Sequence, residues 1–356
     1  MVVQRGAKNY AGPNCPGVTW NCTRSAGLVV VQSAQSGVNK YECSPSSDTG
    51  PNDCAVVQNS SNGTNQATCR EDSGVTPVVL TCTVTQTNVN GDNKANINQN
   101  VDQRVGDDQD ATVIVDLIQR NDSGSNYGDI SQVIAQSTSQ VSSGFMQSQD
   151  AFFDADVFQD TDTGGNNFLH QNQSLTQDGR ASGSPSISQS QGADHLGHVE
   201  QQTSEDPPPP PDIDSFFSLS GVGLLQAEDE GFSKATVTQT EYQSLKGPGY
   251  QFQDGPMNCC GAGSQEGNPA QTSIAVSQKS TQKASQFGTG IVDQFLSLTA
   301  DCNTTGTCTL EQAATNEADS LNQKTSGTSP VLFTTCSASS SSEGSGGECF
   351  AGGGEG

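Results

Sequence analysis

An all-β fold is predicted: a β-solenoid, or stack of five strand–turn–strand arches, followed by a second disulfide-tied β-rich region. Three observations predict it. One motif of an apolar run, Gln, Gly and Asn recurs five times at fixed offsets; strict period-two alternation follows each Asn; and cysteines fall at equivalent motif positions in adjacent copies.

The five copies place Gln32, Gly37 and Asn39 in the first, Gln58, Gly63 and Asn65 in the second, and Gln86, Gly91 and Asn93 in the third. Gln119, Gly124 and Asn126 form the fourth, and Gln159, Gly164 and Asn166 the fifth. Successive Gln residues lie 26, 28, 33 and 40 residues apart, so the motif holds its shape while the connection between copies lengthens. Before each Gln stands a short apolar run such as Val29-Val30-Val31, the strand that enters; Gly with Asn, Asp and Ser neighbours reverses the chain. After Asn the pattern alternates, as in Gln99-x-Val101-x-Gln103 and Gln132-x-Ile134-x-Gln136, which is the period of a strand. The fifth copy continues as Gln173-x-Leu175-x-Gln177 only with one extra residue, which Gly164-Gly165 supplies. A single arch can neither bury its inner face nor satisfy its backbone. Stacked in register at about 4.8 Å, each copy pairs with the next, and identical Gln and Asn positions become side-chain amide ladders. The Val or Leu two residues before each Gln becomes an apolar ladder beside them.

Composition sets what this pattern must overcome. The chain has 356 residues, 14 Lys plus Arg against 39 Asp plus Glu, and a net charge of −25. Leu, Ile, Val and Phe make up about 18%, a composition that on its own implies disorder. The charge argues against nucleic acid and anionic membrane surfaces, which need a cationic footprint, and no apolar run is long enough for membrane insertion. Twelve cysteines without any C-x-x-C spacing argue for disulfides in an oxidising, extracellular setting rather than structural zinc. With the copies stacked, Cys54 and Cys82 fall at one position of neighbouring rungs, as do Cys43 and Cys69. The register therefore predicts Cys54–Cys82 and Cys43–Cys69 disulfides, with Cys15–Cys22 closing a small N-terminal loop.

The pattern Gln-x4-Gly-x-Asn-x-Ala-x3-Gln, read at Gln86, Gly91, Asn93, Ala95 and Gln99, resembles the curlin repeat of bacterial curli fibres over about residues 28–177. The turns are two residues longer here, and the cysteines are additional. The resemblance implies rungs that polymerise outside the cell into amyloid-like fibres of the kind that build biofilm.

The organisation expected is an N-terminal cap at 1–27, the repeat domain at 28–177, and a Ser/Gly/Gln- and Pro-rich linker at 178–214 ending in five prolines. A second β-rich domain with degenerate repeats then occupies 215–336, and a flexible Ser/Gly-rich tail 337–356. Pairing among Cys259, Cys260, Cys302, Cys308, Cys336 and Cys349 stays open.

Sites of chemistry are sparse. Asp160-x-Asp162 faintly resembles a calcium loop but lacks its bidentate Glu. His195-x-x-His198 has no third metal ligand nearby, and Ser280-x-x-Lys283 lacks the partners of a nucleophilic serine. Three histidines, none beside a nucleophile, give no catalytic constellation, so neither an enzyme nor a cofactor is expected. The expectation is a secreted, cell-surface structural protein that self-associates into a fibre or surface layer. The alternative is an adhesin or glycan-binding module on a solenoid stalk, with a glycan or divalent cation as partner.

Overall fold

The computed structural model describes residues 1–12, 21–23, 29–44, 52–106, 108–140, 146–161, 165–181, 188–203, 224–228, 232–259, 272–286, 291–302, 307–320, 324–327, 332–339 and 347–351. It is all-β, with no helix among the described residues. The strands are β1 (Val2–Arg5), β2 (Lys8–Ala11), β3 (Asn21–Thr23), β4 (Val29–Cys43), β5 (Asn52–Ser73), β6 (Val78–Asn88), β7 (Asn93–Gln103) and β8 (Asp108–Asn121). There follow β9 (Ser125–Gln140), β10 (Met146–Thr161), β11 (Asn166–Ala181), β12 (Ser188–His195), β13 (His198–Thr203), β14 (Leu224–Glu228), β15 (Phe232–Gly247) and β16 (Tyr250–Cys259). The last are β17 (Thr272–Gln286), β18 (Ile291–Cys302), β19 (Thr307–Ser320), β20 (Lys324–Gly327), β21 (Leu332–Ser339) and β22 (Gly347–Ala351).

Pairing is parallel and in register throughout the repeat. Gln32 lies over Gln58, Gln58 over Gln86, Gln86 over Gln119 and Gln119 over Gln159. The first column of strands runs β1, β4, β5, β6, β8, β10, and the second β2, β4, β5, β7, β9, β11; β4 and β5 pass through the turn and belong to both. This is the solenoid predicted, with a core between two facing parallel layers. The apolar column expected two residues before each Gln is there: Val30, Val56, Val84, Leu117 and Val157 are all buried.

The turns are held by a spine of glycines. A Cβ on Gly63 would stand 2.2 Å from the Gly37 carbonyl oxygen, one on Gly91 1.9 Å from that of Gly63, and one on Gly124 1.8 Å from that of Gly91. Each turn rests directly on the backbone below, so no larger residue fits. In the fifth copy the expected positions are off by one. Gly165, not Gly164, sits on the Gly124 oxygen (2.2 Å to an added Cβ), and Asn167, not Asn166, pairs with Asn126. The extra residue is absorbed before Gly165, so the return strand recovers its register; Gly164 itself is outside the described residues.

The stack is longer than five rungs. Val2–Arg5 pairs with Val30–Ser33 and Lys8–Ala11 with Val38–Tyr41, so the segment expected as a cap contains a rung of its own. The expected linker at 178–214 is corrected as well. β12 and β13 lie on β10, and β11 pairs directly with β15, so residues 188–203 are rungs and the same sheet continues into β15, β17 and β19. Glutamine at alternate positions is what a ladder needs, and Gln189, Gln191 and Gln201 supply it in a segment whose composition reads as spacer. The proline run and Cys15, the expected partner of Cys22, lie outside the described residues; Cys22 itself is in β3. Toward the C-terminal end the direction changes: β21 and β22 pair antiparallel with β19 and β18.

Candidate functional site

The interior is chemically the most distinctive part. Gln32 donates its Nε2–H to Gln4 Oε1 (2.8 Å), Gln58 to Gln32 (2.7 Å), Gln86 to Gln58 (2.8 Å), Gln119 to Gln86 (2.8 Å), Gln159 to Gln119 (2.7 Å) and Gln201 to Gln159 (2.6 Å). The Asn ladder runs the other way, Asn9 donating to Asn39, Asn39 to Asn65, Asn65 to Asn93, Asn93 to Asn126 and Asn126 to Asn167, each at 2.8–2.9 Å. Further ladders pass through Gln99, Gln132, Gln173, Gln239 and Gln278, and through Gln103, Gln136, Gln177, Gln243 and Gln282. The amide's second hydrogen reaches a backbone oxygen across the core, as when Gln58 donates to Gln66 O (2.8 Å). A laddered amide is therefore satisfied along the stack and across it, which removes the desolvation cost that would otherwise unfold such a chain.

Ladders missed from sequence occupy the extensions of the first column: Gln149 over Gln109, Gln191 over Gln149, Gln253 over Gln191, and Gln189 over Gln147. Their signal was present as Gln-x-Gln pairs, whose spacing puts both amides inside one strand.

The cysteines lie in the expected register, Cys43 over Cys69 and Cys54 over Cys82, but the bond is different. The disulfide joins Cys43 to Cys54, with Cα atoms 5.9 Å apart, and Cys69 and Cys82 are free and buried. Side chains in one column point the same way, leaving their Cβ atoms a strand spacing apart. Across the core the Cβ vectors converge, which is what disulfide geometry requires. A bond of this kind fits an oxidising, non-cytoplasmic location.

Below Gln99 the ladder ends on a carboxyl. Glu71 accepts from Gln99 Nε2 (2.8 Å), is fully buried, and is pushed up to about 8 mainly by that burial. One oxygen of Glu71 and the sulfurs of Cys54 and Cys69 lie within 4.8 Å of one another, the one grouping of metal-ligating atoms among the described residues.

The expected weak sites separate. His195 is wholly buried, its ring stacked on Phe153 at 4.4 Å, and burial lowers it to about 3. It stands 3.7 Å from the buried Glu241, which burial raises to about 8. His198, an odd number of residues on, faces the other side of its strand, so the two histidines form no pair. Ser280 is buried and hydrogen-bonded to Glu241 (3.2 Å), where it serves the core. Asp160 is buried at the turn, and Asp162 lies outside the described residues.

On the outer surface of the second layer one register column reads Tyr10, Lys40, Gln66, Lys94, Tyr127, Phe168, Lys234. Tyr127 stacks on Phe168 (centroids 5.1 Å), Lys94 Nζ lies 5.3 Å over the Tyr127 ring, and Lys40 Nζ 5.5 Å over Tyr10. With His170 beside Asp129 at 3.1 Å, this column borders a shallow groove of about 660 Å³. Three of the 14 cations of a strongly acidic chain gather here, and the signal is invisible in the sequence because the residues are 26 to 66 apart.

No family model, curated protein or solved structure matches this chain. No helix of the described residues is long and apolar enough to cross a membrane.

Proposed function

We propose that the protein is an extracellular structural subunit that assembles by end-to-end stacking of its rungs into a fibre or surface layer. The observation that carries this reading is the first rung. Among the described residues β1 pairs with β4 alone, so its other backbone edge meets no described strand partner, beneath a ladder that runs from Gln4 to Gln201; β3 pairs with the neighbouring β2. An unpaired strand edge is a template for a further strand, and Met1 and Val3 are exposed on it. The acidic surface holds free subunits apart, so acid or divalent cations promote assembly by reducing that repulsion. Electron microscopy of the native protein should show filaments, and aligned specimens a meridional reflection near 4.8 Å. Val3→Pro, which removes a donor from the open edge, should abolish elongation while leaving the monomer folded. A protein that stays monomeric across pH and salt refutes the proposal.

A second reading rests on the Lys–aromatic column. Stacked rings flanked by ammonium groups suit a sugar ring bearing a carboxylate, so the rod would serve as the stalk of an adhesin that binds acidic glycans. Phe168→Ala and Lys94→Ala should then each weaken binding of an acidic polysaccharide at least tenfold without altering the monomer's fold.

A further inference from the structure

Four buried sulfurs stand in two pairs related by one rung of the solenoid. Cys43 closes the second layer of one rung and Cys54 opens the first layer of the next; Cys69 and Cys82 hold the same two places one rung further on. The register is unbroken at both columns, so the backbone geometry that brings Cys43 and Cys54 to a Cα separation of 5.9 Å is repeated at Cys69 and Cys82. The loops closed are also alike, with Cys43 and Cys54 separated by 11 residues and Cys69 and Cys82 by a similar stretch. The two thiols are both buried and unbonded, and each perturbs the other. All four side chains are essentially inaccessible, and the Glu71 carboxyl and the buried Tyr41 phenol are polar groups close to them.

We infer that Cys69 and Cys82 are a second disulfide site, closed by an oxidant of the disulfide class, so that two rung-spanning disulfides stack one above the other. The reaction balances simply. The two thiols give up two protons and two electrons, an S–S bond forms between Cys69 and Cys82, and the oxidant R–S–S–R leaves as two R–SH. Burial pushes both thiols above their ordinary range, which slows attack on an external disulfide once the rung is closed. Oxidation therefore belongs to folding, before β6 docks on β5, or to openings of that rung. The oxidised pair then ties the segment 70–81 across the core and locks β5 to β6 as the first disulfide locks β4 to β5.

The site also resembles a thiolate metal cradle, with Glu71 as an oxygen donor. The intact Cys43–Cys54 bond withdraws Cys54 from that set, which leaves one sulfur and one oxygen, short of the four ligands of a closed structural zinc site even with Cys82 added. Such a set does not close around a metal, and retention of zinc by the folded protein would defeat the disulfide.

The experiment is a thiol map of the full-length protein isolated without reductant. The chain is unfolded in acid, alkylated with a maleimide, digested, and sequenced by mass spectrometry, with zinc measured on the same sample before unfolding. A Cys69–Cys82 cross-linked peptide beside Cys43–Cys54, with neither cysteine alkylated, is the result expected. Alkylation of both residues, a Cys43–Cys69 or Cys54–Cys82 cross-link, or stoichiometric zinc released with two free thiols each overturns it. If the isolated protein is partly reduced, treatment with oxidised glutathione during refolding should lower the mass by two hydrogens at this pair. A Cys69→Ser variant treated in the same way should show no second bond, and Cys82 should then carry the maleimide.

Discussion

Gln132 offers a direct measurement of what an amide ladder contributes. Its side chain is wholly buried in the fourth copy; Nε2 donates to Gln99 Oε1 (3.0 Å) and Asp154 O (3.0 Å), and Oε1 accepts from Gln173 Nε2 (2.9 Å). Gln132→Met keeps the length of the side chain and removes every one of these bonds. Gln99 Oε1 is then left without its ladder donor inside the core, which costs about 1–3 kcal/mol, and two further bonds are lost at about 1 kcal/mol each. Added apolar burial offsets about 1 kcal/mol, so the net destabilisation is about 2–4 kcal/mol by these per-bond values. Urea unfolding followed by circular dichroism reads this as a lower midpoint at unchanged slope. Ser131→Ala, on the outward face of the same strand, is the control and should change stability by less than about 0.5 kcal/mol. A Gln132→Met protein within about 1 kcal/mol of the parent would refute the idea that laddered amides, rather than backbone pairing alone, hold the core.

Two further predictions address the turns and the buried carboxyls. Gly124→Ala should destabilise by more than about 3 kcal/mol, because its Cβ would lie 1.8 Å from the Gly91 oxygen, whereas Gly6→Ala, with 3.6 Å to its nearest neighbour, should be almost neutral; equal thermal shifts for the two would sink the glycine-spine argument. Glu71 and Glu241 are raised to about 8, Asp156 to about 7 and Asp154 to about 6, chiefly by burial, so each is neutral in the native state over a range where the unfolded chain is charged. A raised acid loses stability as pH climbs from its unfolded to its folded value, so Tm should fall between pH 5 and pH 8.5. His195, lowered to about 3, acts oppositely and lowers stability as pH drops below about 6.5. Glu71→Gln with Glu241→Gln should flatten the alkaline fall, and a parent Tm that is constant or rising over that window contradicts the assignment.

Much of the stack was legible because its determinants are local and repeated. Gln32, Gln58, Gln86 and Gln119, with their glycines and asparagines, carry fixed offsets, and in-register pairing turns each offset into a column. What was hidden depends on neighbours in space. The rung at Gln4 and Asn9 differs from the motif in spacing, and Gln201 stands in a segment whose composition suggests a spacer; both are recognisable only by what they stack on. The cysteine register was readable and the bond was not, since the choice between a column partner and a facing partner rests on Cβ direction across a core that the sequence does not display. The Lys–aromatic column was likewise beyond reach, because its members share no motif and meet only through the register.

A chain this poor in large apolar residues folds because its polar interior is periodic along the stack axis. An isolated buried glutamine is costly, and a second one in another orientation does not help it. When each rung presents the same amide at the same height, the donor of one meets the acceptor of the next, and the only unmatched groups are at the two ends of a column. The feet of the ladders differ in this protein. At the foot of one ladder Glu71 supplies an acceptor to Gln99 where another Gln would have presented its own amide. At the foot of another, Gln4 turns its Nε2–H onto the backbone oxygen of Tyr10 (2.8 Å), a bond an incoming rung would have to rearrange or preserve. Growth at the β1 edge therefore requires a partner whose amide accepts from, or donates to, Gln4 in the same register. Gln4→Leu should then impair elongation more than it impairs folding of the monomer, because Gln4 stands at the foot of its ladder as far as the described residues run. Elongation kinetics measured by seeded turbidity, beside urea unfolding of the same variant, separate the two effects; a Gln4→Leu subunit that elongates at the parent rate would show that the ladder does not continue across the junction.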